Sequence, residues 1–121
     1  MKEDVLKDLS YQFAVKTIFL CRNLQIQEKE YILSRQLLKS GTSIGANIEE
    51  ASGAQSTKDF IAKFHIALKE ARESHYWLRL LKDTQWITTE SFEEQTKILN
   101  HIINLLTKSI KTAKDNTEKK E

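Results

Sequence analysis

Apolar residues recur along this chain at spacings of three and four, which at about 100° per residue places them on one face of a helix. Four segments show the pattern. In the first, Leu6, Leu9, Phe13, Leu20 and Leu24 form one stripe, while Tyr11, Val15, Ile18 and Phe19 form another on roughly the opposite side. The periodicity lapses from Asn23 to Lys29 and resumes with Leu33, Leu37, Gly41, Ile44, Ile48 and Ala51, ending at Gly53. The third segment opens at Ser56, whose hydroxyl can cap the amide of Asp59, and carries Phe60, Phe64, Ala67, Leu68, Ala71, His75 and Leu78 to a turn at Asp83-Thr84-Gln85. The fourth follows Thr88 or Thr89 as N-cap and buries Phe92, Leu99, Ile102, Ile103, Leu106 and Ile110. The pattern predicts helices over about 4–23, 30–53, 57–82 and 89–113, making one bundle over 1–113 and a charged, frayed tail over 114–121.

Connections this short force consecutive helices to run antiparallel, so the predicted fold is all-α, an up-down-up-down antiparallel four-helix bundle. Folding the second and third helices back about Gln55 sets Ile44 near Ala67 and brings Gly41 and Ser40 near Ala71. Close approach of those two backbones is the expected reason for a glycine inside a helix, where it otherwise costs about 1 kcal/mol relative to alanine.

Composition sharpens this picture. The 121 residues fit one domain with one core, and with no proline and three glycines the chain lacks the punctuation that many short strands require. Residues are 30% charged and 40% hydrophobic, and no apolar run approaches the ~18 residues of a membrane span. Met1-Lys2-Glu3-Asp4 leads into no signal-like apolar block, so a cytoplasmic protein is expected, and the single Cys21 agrees with that. A net charge of +2 is too small for a fold-wide nucleic-acid footprint, which leaves any phosphate contact to a local patch.

Two motifs suggest chemistry and fail on context. Gly41-Thr42-Ser43-Ile44-Gly45 matches the G-x-S-x-G nucleophile elbow, but no strand precedes it and the flanking apolar residues keep helical phase. A di-iron bundle needs Glu-x-x-His pairs; Glu49, Glu50, Glu70 and Glu73 are available, yet neither His65 nor His101 has Glu three positions earlier, and His75 follows Glu73 by two. His75 is read instead as a satisfied core or boundary histidine. No catalytic residue, cofactor or metal site is expected, and the protein is read as non-enzymatic.

Two surfaces are left over. The outward side of the second helix carries Thr42, Gly45, Ala46 and Gly53 where Lys and Glu are usual, and with Tyr11, Val15, Ile18, Ile66, Trp77, Leu80, Ile98 and Leu105 it supplies more apolar positions than one bundle core uses. Contact between copies of the chain is favoured over a wide monomeric core, with Tyr11, Val15, Ile18, Thr42, Gly45, Ala46, Trp77, Ile98 and Leu105 as interface candidates. On the third helix Lys58, His65, Lys69, Arg72, Tyr76 and Arg79 fall within about a quarter turn, and Arg35 and Lys39 can extend this basic strip from the second. Such a strip can follow RNA or DNA phosphates, with Tyr76 as a stacking surface. Its plainer reading is a solvated face whose charges pair with Glu73 and other nearby acids.

The blocks SGTSIGANIEEA (Ser40 to Ala51), DFIAK and IALKEARES-YWLRLL (Asp59 to Leu81), with FAVKTIFL in the first helix, closely resemble the bacterial 23S rRNA intervening sequence proteins. The resemblance covers about four fifths of the chain and leaves the last helix generic. It implies a four-helix bundle, assembly into a ring-like homo-oligomer of five copies, and kinship with the nucleic-acid-binding accessory proteins of diversity-generating retroelements, which are more basic than this chain. It implies no catalytic residues. Two functions follow as expectations: an oligomer that binds RNA or DNA, or a scaffold that binds another protein and touches nucleic acid only indirectly.

Overall fold

The computed structural model describes residues 2–120, and the side chains of 4–118. It consists of α1 (Lys2–Ile26), α2 (Ile32–Ser52), α3 (Thr57–Asp83) and α4 (Thr89–Lys120). Each helix packs on the next and α4 returns to α1, while among the described residues the diagonal pairs do not approach. This is the expected up-and-down bundle. No strand occurs among the described residues. The α1–α2 and α3–α4 turns lie at one end and the α2–α3 turn at the other. Residues 114–120, read from sequence as a charged tail, continue α4 as helix, and over 114–118 the side chains are exposed apart from half-buried Thr117; residues 1 and 121 lie outside the described residues.

Local hydrogen bonds set the starts of α2, α3 and α4 and the end of α3. Ser56 Oγ accepts from the Asp59 amide at 3.1 Å and Thr88 Oγ1 from the Ser91 amide at 3.0 Å, which makes Thr88 the cap of α4. At the start of α2, Glu30 supplies what a serine or threonine usually does. Its Oε1 accepts from the Ser34 amide at 2.7 Å and its Oε2 from the Leu33 amide at 3.0 Å, while Ser34 Oγ donates back to the Glu30 carbonyl at 2.7 Å. α3 ends in a Schellman turn: Gln85 is left-handed at φ 67°, its amide bonds to Lys82, and the Trp86 amide reaches the Leu81 carbonyl at 2.9 Å.

The core runs the length of the bundle, with Phe13, Phe64, Leu6, Leu24, Leu37, Ile44, Ile48, Leu78, Leu81, Leu99, Ile102 and Leu106 as its largest fully buried side chains. Ser74 Oγ donates to Ser40 Oγ at 2.8 Å across α2 and α3, close to the register expected from Gln55. The role foreseen for Gly41 is corrected. The position of its missing Cβ lies 2.9 Å from Thr17 Cγ2 and 3.4 Å from Phe13 Cε2, so the residue admits α1 rather than α3. Gly45, one turn on, faces Ser10 of α1 at 3.3 Å, and the two glycines form a small-residue stripe on which α1 lies.

Candidate nucleic-acid interface

α3 turns one face to the core through Phe64, Ala67, Ala71 and Leu78, and the helical period carries the remaining side chains outward. Lys58, His65, Lys69, Arg72, Tyr76 and Arg79 are all exposed, on a straight ridge about 30 Å long at 1.5 Å per residue. The ion pairs formed among the described residues, Lys16–Glu94 and Lys63–Glu50, use none of these cations. Glu73, the acid expected to neutralise the ridge, instead accepts from Trp77 Nε1 at 3.3 Å.

Arg35 and Lys39 are exposed on α2, with an acidic island between them and the α3 ridge. Glu70 is half-buried; loss of solvent and the neighbouring Glu73 raise its carboxyl above the ordinary range, and Lys69 and Lys39 pull it back. The α2 cations therefore extend the ridge only across Glu70. His75, half-buried where α3 meets α4, presents its ring edge-on to Phe92 at 6.2 Å. Burial, then Arg79, lowers its pKa, so the imidazole stays neutral at pH 7.

Arginine and aromatic side chains pair in a way that the charge pattern alone does not show. The Arg79 guanidinium lies 5.7 Å over the Tyr76 ring, Arg35 lies 5.6 Å over Tyr31, and Arg22 lies 5.5 Å over Phe19. Lys82 covers Phe92 at 4.8 Å. The signal was present as i,i+3 and i,i+4 spacings, F-x-x-R, Y-x-x-x-R and Y-x-x-R.

The candidates for contact between copies separate into three groups. Tyr11 (73% exposed), Ile18 (38%) and Ala46 stand in solvent with half-exposed Val15, and Tyr11 and Val15 help line a cleft of about 630 Å³ between α1 and Glu49. Trp77, Ile98 and Leu105 are half-buried against the bundle's own core. Gly45 backs onto Ser10, and Thr42 turns its hydroxyl to the Leu38 carbonyl at 2.8 Å.

Ser43 sits within uninterrupted helix and donates to the Lys39 carbonyl at 2.7 Å, so the Gly41 to Gly45 motif is no nucleophile elbow. Among the described residues no three His, Cys, Asp or Glu side chains are placed to share a metal ion, and no helix is long and apolar enough to cross a membrane.

A small up-and-down bundle whose distinctive chemistry lies on its outer faces is the class that this fold and surface define. Within that class the relationship is specific. Residues 2–108 match the family model described as 23S rRNA-intervening sequence protein, and the chain belongs to that family. A crystal structure of a protein with unknown function from the S23 ribosomal protein family of Bacteroides thetaiotaomicron is similar throughout, with 50% identity, a TM-score of 0.90, and coverage of 92% of this chain and 99% of that one. No curated protein matches the sequence.

Proposed function

We propose that this chain is a non-catalytic cytoplasmic protein that assembles with copies of itself and binds nucleic acid through the cationic side of α3. The observation that carries the reading is the ridge itself: Lys58, Lys69, Arg72 and Arg79 all reach solvent, and none is used in an ion pair among the described residues. A net charge of +2 gives one copy little long-range attraction for phosphates, and symmetric assembly repeats the same ridge around a closed particle. The exposed Tyr11 and Ile18 on α1 are the apolar contacts available for that assembly. Relatives described by an rRNA-intervening sequence and by a ribosomal protein family make RNA the first ligand to test.

Light scattering coupled to size exclusion should give a mass of several chains. A gel shift with RNA at two salt concentrations should show binding that weakens with salt, and Arg72→Ala with Arg79→Ala should lower the slope of log K against log salt by about one per lost phosphate contact. Unchanged affinity in the double variant sinks the ridge as the contact. A second reading, a protein scaffold, is favoured by Ile32 and Ile26, which stand 75% and 57% exposed beside the α1–α2 turn. Capture of a defined protein partner that survives nuclease treatment would select it.

A further inference from the structure

The arginine–aromatic pairs share one end of the bundle. Phe19 and Arg22 lie in about the last two turns of α1, Tyr31 and Arg35 at the start of α2, and Tyr76 and Arg79 in about the last two turns of α3. Lys82 and Phe92 sit where α3 passes to α4. Significant cation–π pairs occur roughly once per 70–80 residues, so one or two would be ordinary in a chain of 121 residues. The four pairs here all stand around the α1–α2 and α3–α4 turns, and three of them use the arginines Arg22, Arg35 and Arg79.

Resting on the nucleic-acid reading above, we infer that the ligand is an unpaired stretch of nucleic acid held at this end of the bundle, on a path from Phe19 and Arg22 past Tyr31 and Arg35 to Tyr76 and Arg79. The rings are open, at 61% exposed for Phe19, 42% for Tyr31 and 46% for Tyr76. Each carries a guanidinium that can stack on a base and at the same time donate to a phosphate. A duplex can use the donors but not the stacking planes, because its bases are already stacked on one another; an unpaired strand uses both. The helices α1, α2 and α3 are consecutive neighbours, and axes in such bundles stand about 8–10 Å apart, a gap that a short extended run of single strand covers. Exposed Glu90 and Glu93 at the start of α4 repel phosphate on the fourth side, while Glu94, paired with Lys16, shares a cleft with Phe19.

The test uses the full chain with two probes, a fluorescein-labelled oligouridylate and a blunt RNA duplex of equal length, read by anisotropy. The oligouridylate should bind at least about fivefold tighter than the duplex. Phe19→Leu, Arg22→Gln and Tyr31→Leu, all at exposed positions, should each weaken it by about fivefold or more while keeping the parent's mass in light scattering. Lys108→Gln, exposed on α4 and outside both the ridge and the ring pairs, should change it little. Equal or tighter binding of the duplex overturns the inference. So does loss confined to Lys58→Gln, which would leave the ridge on α3 as the contact and the nucleic-acid reading intact. Failure of both probes to bind overturns that reading as well.

Discussion

Gln95 of α4 donates through Nε2 to Thr17 Oγ1 of α1 at 3.1 Å, and both side chains are buried, Thr17 completely. The pair ties the helix that closes the bundle to the first, next to the Lys16–Glu94 ion pair on the surface. Removing one partner strands the other in a buried site, which costs about 1–3 kcal/mol. Thr17→Val should therefore lower stability by about that amount in denaturant unfolding. Adding Gln95→Leu removes the stranded amide, so the double variant should lose clearly less than the sum of the two single changes. Strict additivity would show that the two groups do not depend on each other.

Gly41 and Thr17 are also neighbours, and here the conflict is steric. A methyl on Gly41 would sit 2.9 Å from Thr17 Cγ2, closer than such atoms approach. Alanine gains about 1 kcal/mol of helix propensity, while overpacking costs about 1–3 kcal/mol, so Gly41→Ala should be destabilising overall, by about 1 kcal/mol. Thr17→Ser removes the offending methyl and keeps the hydroxyl for Gln95. In that background Gly41→Ala should become neutral or stabilising, as read by thermal unfolding. Gly45→Ala, where the nearest atom is Ser10 Oγ at 3.3 Å, should cost less than Gly41→Ala in the parent.

These two relationships mark where sequence stopped being informative. Phe13, Leu37, Phe64 and Leu99 were legible as core because apolar residues at helical spacing define a face, and the Ser56 cap because a hydroxyl precedes a periodic run. A face, however, does not say which neighbour it meets. Periodicity turns Gly41 toward α3, and it lies against α1, because helix rotation is decided by packing on both sides at once. Thr17 and Gln95 are polar, so a search for apolar repeats passes over them although they are buried. Glu30 is not legible as a cap because its carboxylate reaches forward from before the helix, where only the local turn brings it to the Leu33 and Ser34 amides.

The same division applies to the surface. Exposure of the α3 ridge followed from the period alone, since Lys58, Arg72 and Arg79 sit opposite Ala67, Ala71 and Leu78. Trp77, Ile98 and Leu105, candidates for contact between copies, lean on their own core with part of each side chain left outside it, a division that sequence does not fix. The gathering of Phe19, Tyr31 and Tyr76 with their arginines at one end required the chain's topology, since they are far apart along it.

The Schellman turn at the end of α3 carries a correctable cost. Gln85 holds a left-handed backbone at φ 67°, a conformation that costs a residue with a Cβ about 1–2 kcal/mol and glycine almost nothing. Its amide is already bonded to Lys82, so the turn does not depend on the side chain. After allowance for the greater freedom of glycine in the unfolded chain, Gln85→Gly should stabilise by about 1 kcal/mol and raise Tm by a few degrees. Gln85→Ala, which keeps the Cβ, should give no gain. A matching gain from alanine would place the effect in the side chain and not in the backbone.

Cys21 offers a probe of the whole bundle. Its thiol is buried in α1, and burial, reinforced by the charge of Glu30, pushes its pKa up to about 12 from an ordinary value of 9.0. The thiolate is the reactive form, so in native protein near pH 8 the group should be inert to a disulfide reagent such as Ellman's, and labelling should proceed only through unfolding. The same shift fixes a pH dependence. The folded state holds the proton more tightly than the unfolded one, so the associated stability is fully present below about pH 9 and is lost as pH rises toward about 12. Stability measured by urea unfolding should fall across that window in the parent and fall less in Cys21→Ala, whatever the cavity in that variant costs at neutral pH. Rapid stoichiometric labelling of the native protein at pH 8 would show that the thiol is neither buried nor shifted as the fold requires.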